Sequence, residues 1–269
     1  NIKNIYQNTG TSMMSARAQV TSSMAVLKRI QEIMFASLWQ SLKRVQEIMF
    51  ASLWQGMNVK AIVYWLITSA RVAMLHRGRD KLRGRVLEVG SGDGGQLVHL
   101  CGPAAPNVRE VVCCEPNKSF HAELRRAMEA ARLRAAASGI DVQLRIFAGT
   151  LHELVAAEPT ARFDVIATWL VLCSVPNVEE AVRDCAALLK SPGGHLMYLE
   201  HVAGASAAAR AFQRLNQYTY WWLIGDGCQL CRDTTGALDA VTSWRRTHHE
   251  RRAYLGGLFP MVCGVCEAT

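Results

Sequence analysis

The sequence has 269 residues, of which 50% are apolar and 19% are charged, and its mean hydropathy is +0.07. This composition is typical of a globular protein with a sizeable buried core. The nine cysteines are odd in number and scattered along the chain, which argues against a disulfide framework. Arg71 interrupts the best apolar stretch, so no run reaches the roughly 18 residues of a membrane-spanning helix.

The net charge of +8 is unevenly distributed. Residues 1–85 contain 13 Lys and Arg against 3 Asp and Glu, whereas residues 86–269 contain 17 against 19. A basic segment of this kind favours anionic partners such as lipid headgroups, nucleic acid or an acidic protein surface. A solvated or targeting segment has the same composition, and both interpretations stay open.

Residues 1–31 contain no acidic residue and are rich in Ser, Thr, Met and Ala. This composition resembles an organelle transit segment. It predicts a mitochondrial protein.

A 14-residue segment, residues 27–40, recurs almost unchanged as residues 42–55. Apolar residues at helical spacing and two Lys–Glu pairs four residues apart predict an amphipathic helix in each copy. Its wide apolar surface predicts docking on a membrane surface, on a larger protein complex or on the chain's own domain. We therefore expect two parts, a basic N-terminal extension over residues 1–56 and a domain over residues 57–269.

A glycine-rich turn follows a predicted strand at residues 86–89 and precedes a predicted helix at residues 96–101. Glycines permit positive φ and close approach of the backbone to a ligand, and a helix N-terminus supplies unpaired N–H groups. The turn fits the dinucleotide pattern through Gly90, Gly92 and Gly95. It also fits the acidic-x-G-x-G-x-G pattern of methyltransferases, with Ser91 inside the turn, through Glu88, Gly90, Gly92 and Gly94.

The second predicted strand ends at Glu115 and is followed by Pro116 and Asn117. A carboxylate at this point can accept hydrogen bonds from both ribose hydroxyls of a nucleoside cofactor, so both cofactor classes remain open here.

Later segments favour the methyltransferase pattern. Residues 163–167 form a fourth predicted strand, and residues 191–200 form a Pro-Gly-Gly turn with a fifth. Two C-terminal strands, residues 245–254 and 261–266, predict an antiparallel hairpin. The expected fold class is α/β, a doubly wound and mostly parallel Rossmann-like sheet with an antiparallel C-terminal hairpin, preceded by a helical N-terminal extension.

Three segments, residues 170–175, 198–202 and 225–233, resemble the small, membrane-associated methyltransferase-like family whose studied members methylate thiols. The resemblance covers roughly residues 58–269. It implies S-adenosylmethionine as cofactor, a small-molecule substrate and a membrane surface, with the endoplasmic reticulum or lipid droplets as the alternative location. The cofactor-binding positions that it implies are Glu88, Gly90, Ser91, Gly92, Gly94, Glu115, Pro116, Asn117, Thr150, Leu151 and Trp169.

Three of these positions depart from the family pattern. Thr150 and Leu151 stand where the family has acidic residues that bind the adenine amine. The loss of such a hydrogen bond should weaken the binding of adenine by about 1–3 kcal/mol. Trp169 stands where the family has a small residue beside the methionine moiety. These departures allow that cofactor binding has been lost.

A thiol acceptor needs a base or a positive environment to become a nucleophile. His201 and Asp226 are the candidate catalytic residues, because both follow elements expected to end at the carboxyl edge of the sheet. A structural hydrogen bond at a strand end is the alternative role for His201.

Two further patterns are assigned no function. Cys228 and Cys231, like Cys263 and Cys266, form C-x-x-C pairs, but no metal is expected. The second pair lies in a predicted strand, where i and i+3 residues face opposite sides. The first pair lies in a segment where the resembling family has only one cysteine. The histidines and arginines of residues 245–252 are expected to form an exposed, charged strand, and nucleic acid is not an expected partner.

Two hypotheses follow. The chain is an S-adenosylmethionine-dependent methyltransferase acting on a small or lipid-like thiol near a membrane. Alternatively, it is a catalytically degenerate accessory subunit of a larger mitochondrial membrane complex, docked through its N-terminal helix.

Overall fold

The computed structural model describes residues 29, 31–34, 36–48, 78–221, 227–254 and 259–269. The chain divides into two units, residues 1–46 and 47–269. The domain boundary predicted after residue 56 and the second half of the second repeat copy, residues 49–55, lie outside the described residues. Within the described ranges, no helix combines the length and the apolar character required to cross a bilayer.

The described part of the repeat, residues 31–34 and 36–48, is helical, as the apolar spacing of both copies predicts. Leu38, Leu42 and Val45 lie on one face at i, i+4 and i+7, whereas Gln40 and Lys43 lie on the opposite face. Large apolar side chains of this helix are between 53% and 66% exposed: Ile33, Met34, Leu38, Trp39, Leu42 and Val45. It is therefore an amphipathic helix with an exposed apolar face.

The described part of the second unit is built on a sheet of seven strands: β1 Arg83–Val89, β2 Asn107–Cys114, β3 Gln143–Phe147, β4 Val165–Trp169, β5 His195–His201, β6 Trp244–Tyr254 and β7 Phe259–Ala268. Their order is β3-β2-β1-β4-β5-β7-β6. Strands β1 to β5 are parallel, and β7 is antiparallel to β5 and β6. This confirms the predicted fold class. The direction of winding reverses between β1 and β4, where doubly wound sheets bind their ligands.

The described helices of this unit are α1 Leu97–Leu100, α2 His121–Ala137, α3 Leu151–Ala157, α4 Val178–Leu188, α5 Ala207–Asn216 and α6 Thr234–Asp239. Their packing buries both faces of the sheet, as a parallel sheet requires. Neighbouring strand residues such as Val111 and Val112 belong to two separate core clusters, one on each face. The N-cap side chains of α3 to α6 each accept a backbone N–H, which stabilises the helix start.

Strand β4 differs from its predicted bounds. It begins at Val165 and extends to Trp169, whereas the prediction ended it at Ala167. Leu170 follows with a φ of +59°, a strained conformation for a residue with a side chain. Its N–H donates to the Leu199 carbonyl at 2.8 Å, which keeps this turn beside β5 at the carboxyl edge of the sheet.

Candidate active site

Four predicted site residues, Glu88, Glu115, Trp169 and His201, lie at the carboxyl ends of adjacent parallel strands. The residues two positions earlier all belong to one hydrophobic core cluster on one face of the sheet: Val86, Cys113, Ala167 and Leu199. Because strand side chains alternate with a period of two, the four share one face of the sheet. The fold therefore brings the predicted cofactor side and the predicted catalytic side to one edge.

The turn after β1 is held open by glycines in the left-handed region. Gly90, Gly92 and Gly94 have φ values of +66°, +53° and +79°. A Cβ on Gly94 would lie 2.8 Å from Leu124 Cδ1, so that glycine lets the turn pack on α2. A Cβ on Gly92 would meet no atom within 4 Å, so Gly92 borders open space. Ser91 Oγ donates to the Glu88 carbonyl at 3.2 Å.

The Glu115 carboxylate is fixed by backbone donors on both sides. Its Oε2 accepts the N–H of Gly92 at 2.7 Å, and its Oε1 accepts the N–H of Asn117, beyond Pro116, at 2.7 Å. Burial raises the pKa of Glu115, and these two N–H groups oppose that rise. Each oxygen retains a second lone pair, so the carboxylate is able to accept ribose hydroxyls as well.

Thr150 and Leu151 lie at the start of α3. The Thr150 hydroxyl accepts the N–H of Glu153 at 3.2 Å, and Glu153 Oε2 accepts the N–H of Thr150 at 2.7 Å. This reciprocal pair is a capping box. Leu151 is buried in the core. One side chain is thus engaged in the helix cap and the other in packing.

Trp169 is buried at the end of β4, and it packs in the same core cluster as Leu199. Its indole Nε1 is buried and has no hydrogen-bond partner among the described residues. A buried donor without a partner is destabilising, and a ligand that accepts this hydrogen bond would remove the penalty.

On the predicted acceptor side, His201 is 6% exposed, and its Nδ1 lies 4.0 Å from Cys228 Sγ. Its Nε2 is buried and has no partner in the part of the chain that the structure describes. Contact with the Cys173 thiol and with His201 lowers the pKa of Cys228, while the pKa of Cys173 is raised well above its ordinary value. Asp226, the second predicted catalytic residue, lies outside the described residues.

Sequence reasoning did not single out Glu200 or Arg232. Glu200 is fully buried on β5, and its Oε2 accepts the N–H of Cys173 at 3.3 Å. Burial raises the pKa of this carboxyl to about 7. It therefore anchors the segment that follows β4, which carries Cys173. A charged residue inside the apolar alternation of β5 was the available signal.

The remaining patterns keep structural roles. Cys263 and Cys266 belong to different core clusters, on opposite faces of β7. No group of three or more His, Cys, Asp or Glu residues suited to a metal occurs in the described ranges. Arginines of β6 pair with carboxylates, as in Arg246 with Asp239 at 2.8 Å and Arg245 with Glu267 at 3.4 Å.

The doubly wound sheet with its antiparallel β6–β7 hairpin, the glycine turn and the carboxylate after β2 together define a methyltransferase-type Rossmann-like domain. A family model described as a methyltransferase domain matches residues 67–236. The chain belongs to this family.

Curated relatives are similar over part of their length. Thiol S-methyltransferase TMT1A of Homo sapiens is 30% identical over 157 residues, 58% of this chain and 59% of that protein. Thiol S-methyltransferase TMT1B of Rattus norvegicus is 31% identical over 150 residues, 55% of each chain. The chain thus spans little more than half the length of these relatives.

Solved structures share the fold. An O-methyltransferase family protein from Burkholderia thailandensis has a TM-score of 0.54 at 14% identity, covering 74% of this chain and 55% of that one. The N-methyltransferase NodS from Bradyrhizobium japonicum has a TM-score of 0.50 at 13% identity, covering 79% and 100%.

Proposed function

We propose that this chain is an S-adenosylmethionine-dependent methyltransferase whose acceptor is a small or lipid-like thiol. The observation that carries the proposal is His201, a buried histidine with an unpartnered Nε2 on the same face and edge of the sheet as the glycine turn. The similarity to two thiol S-methyltransferases supports a thiol as acceptor.

The residues of the crevice fit the proposed cofactor. Gly92 borders open space, Glu115 is a fixed carboxylate beside it, and Trp169 has a buried donor to offer. Glu115 would hold the ribose hydroxyls, and Glu88 with the glycine turn would hold the methionine end. When bound, the cofactor supplies an electrophilic methyl group on a sulfonium.

In the proposed reaction, His201 is the base for the acceptor thiol and Cys228 positions His201. If the Nδ1–H of His201 donates to the Cys228 sulfur, Nε2 carries the lone pair and is the basic nitrogen. Nε2 would then accept the proton of the substrate thiol, and the resulting thiolate would be the nucleophile for the methyl group that the cofactor supplies, with S-adenosylhomocysteine as the leaving group. Cys228 is thus a positioning residue that selects the tautomer of His201.

Methyl transfer to thiols by the purified full chain tests the proposal. We expect His201→Gln to lower kcat by about 100-fold or more, the usual contribution of a general base. His248→Gln, on edge strand β6, is the matched control and should leave kcat unchanged. Absence of transfer to any thiol would refute the proposed acceptor class.

A second candidate function, a degenerate accessory subunit, is favoured by Thr150 and Leu151. Their side chains serve a helix cap and the core, so neither replaces the acidic adenine contact. Calorimetric titration separates the two functions. A Kd for S-adenosylmethionine below about 100 μM, roughly −5.5 kcal/mol, would contradict the degenerate function. Undetectable binding would contradict the enzyme.

We further propose that the N-terminal helix docks the protein on a mitochondrial membrane surface or on a complex there. Its exposed apolar face supports docking, and the acid-free residues 1–31 support the location. Leu38→Glu should reduce co-sedimentation with vesicles of phosphatidylcholine and an anionic phospholipid. Gln40→Glu adds the same charge to the opposite face and should not. Equal binding by both variants would contradict membrane docking, and a fluorescent C-terminal fusion tests the compartment.

A further inference from the structure

Arg232 carries a buried guanidinium, and its backbone is hydrogen-bonded to the segments that follow His201 and Cys228. The residue is 6% exposed, and its Nε and Nη2 are buried without a hydrogen-bond partner among the described residues. These two nitrogens form one side of the guanidinium, where two parallel N–H groups match the two oxygens of a carboxylate.

Backbone contacts place Arg232 beside the proposed catalytic residues. The N–H of Ala203, two residues after His201, donates to the Arg232 carbonyl at 3.1 Å. The N–H of Arg232 donates to the Gln229 carbonyl at 3.2 Å, and the N–H of Gln229 donates to the Cys173 carbonyl at 2.8 Å. Arg232 is therefore held between the end of β5 and the segment that follows β4.

A buried cation without a hydrogen-bonded anion is costly. Burial lowers the pKa of Arg232, while Cys173, Cys228, Glu179 and Glu200 oppose that shift by their charge. Within the described ranges, neither Nε nor Nη2 of Arg232 is hydrogen-bonded to any of these groups, and an arginine remains protonated in proteins. The two parallel N–H groups of the buried Arg232 guanidinium therefore match the chemistry of an anionic ligand group.

We propose that Arg232 binds the carboxylate of the methyl acceptor, so that the preferred substrates are small thiols that carry a carboxylate. The substrate class rests on the proposed function, whereas anion binding at Arg232 does not. The carboxylate of the cofactor is the other source of the same chemistry, and the experiment separates the two.

Mercaptoacetate and its neutral amide, mercaptoacetamide, are compared as acceptors. In Arg232→Gln, we expect the KM for mercaptoacetate to rise about 30-fold or more, because a buried ionic partner is lost. The KM for the amide should change less than about 3-fold. Arg214→Gln, an exposed position on α5, makes the same charge change and should leave both values unaltered. Arg232→Lys, which keeps the charge without the fork, should retain part of the preference for the acid.

The ratio of the two KM values within one variant is independent of the folded fraction. An equal rise for acid and amide, or an equal shift in Arg214→Gln, would overturn the proposal. So would weaker binding of S-adenosylhomocysteine to Arg232→Gln, because the cofactor would then be the anion. Calorimetry with (methylthio)acetate in the presence of S-adenosylhomocysteine measures anion binding without turnover. Its loss in Arg232→Gln would support the site even if the proposed methyl transfer failed, and unchanged binding would refute it.

Discussion

The Glu115 carboxylate and the Gly92 N–H form a 2.7 Å hydrogen bond that joins the end of β2 to the turn after β1. We expect Glu115→Gln to weaken S-adenosylhomocysteine binding by about 10-fold or more, because an amide offers one acceptor oxygen and no charge. Glu110→Gln, on the same strand, removes ion pairs with Arg85 and Arg145 and should leave affinity unchanged. Calorimetry measures both, and wild-type affinity in Glu115→Gln would contradict the ribose role.

Two glycines of the same turn should respond differently to alanine. Gly94→Ala should lower the free energy of unfolding by about 3 kcal/mol or more, since its Cβ would press on Leu124 and Ala127 in addition to the strained φ. Gly92→Ala should lower the free energy of unfolding by only about 1–2 kcal/mol, because the positive φ is then the only source of strain. Its Cβ would instead enter the open space and weaken S-adenosylhomocysteine binding. Denaturant unfolding and calorimetry measure the two effects, and a larger stability loss in Gly92→Ala would be inconsistent with this packing.

Thr150→Ala separates helix capping from cofactor recognition. We expect a loss of about 1 kcal/mol in the free energy of unfolding, the usual contribution of an N-cap side chain. The affinity for S-adenosylhomocysteine should stay unchanged, because the hydroxyl is engaged with Glu153. Asn177→Ala removes the corresponding cap of α4 and is the control for stability. A drop in affinity specific to Thr150→Ala would show that the hydroxyl contacts adenine.

Glu200 should make stability depend on pH. Its pKa is raised from 4.5 to about 7 by burial, so the folded state binds a proton that the unfolded state has released between these values. The contribution of Glu200 to the free energy of unfolding is therefore fully present below the unfolded pKa and is lost as pH rises through 7. The total change in the free energy of unfolding is on the order of 3 kcal/mol. Glu200→Gln should lack this fall in denaturant titrations between about pH 5 and pH 8. A parallel decline in both proteins would assign it to other groups.

Much of the fold could be predicted because its determinants are local. The glycine turn after a short apolar strand, the Pro-Gly-Gly turn and the alternating C-terminal hairpin each fix a neighbouring element. The predicted end of β4, at Ala167, was wrong. The strand continues to Trp169, because this bulky side chain packs in a core to which other strands contribute. The Thr150–Glu153 capping box is also local, and its T-x-x-E spacing is readable in the sequence.

The acceptor side depends on tertiary contacts. His201 could be placed at a strand end, and its strand position was confirmed. The proximity of Cys228 to His201, and the burial of Arg232, arise from backbone bonds between residues distant in sequence, such as Gln229 to Cys173. A charged residue in a polar segment gives no sign of burial, so Arg232 required the structure. The roles of the cofactor and catalytic residues stay predictions.

Eight of the nine cysteines are buried, and all nine are free thiols. Burial raises the pKa of Cys101 to about 11 and that of Cys114 and Cys266 to about 12. A thiol is a weak nucleophile until it loses its proton. Burial therefore keeps the thiols of Cys101, Cys114 and Cys266 protonated and shielded from alkylating reagents, whereas Cys228, whose pKa is lowered, is the exception.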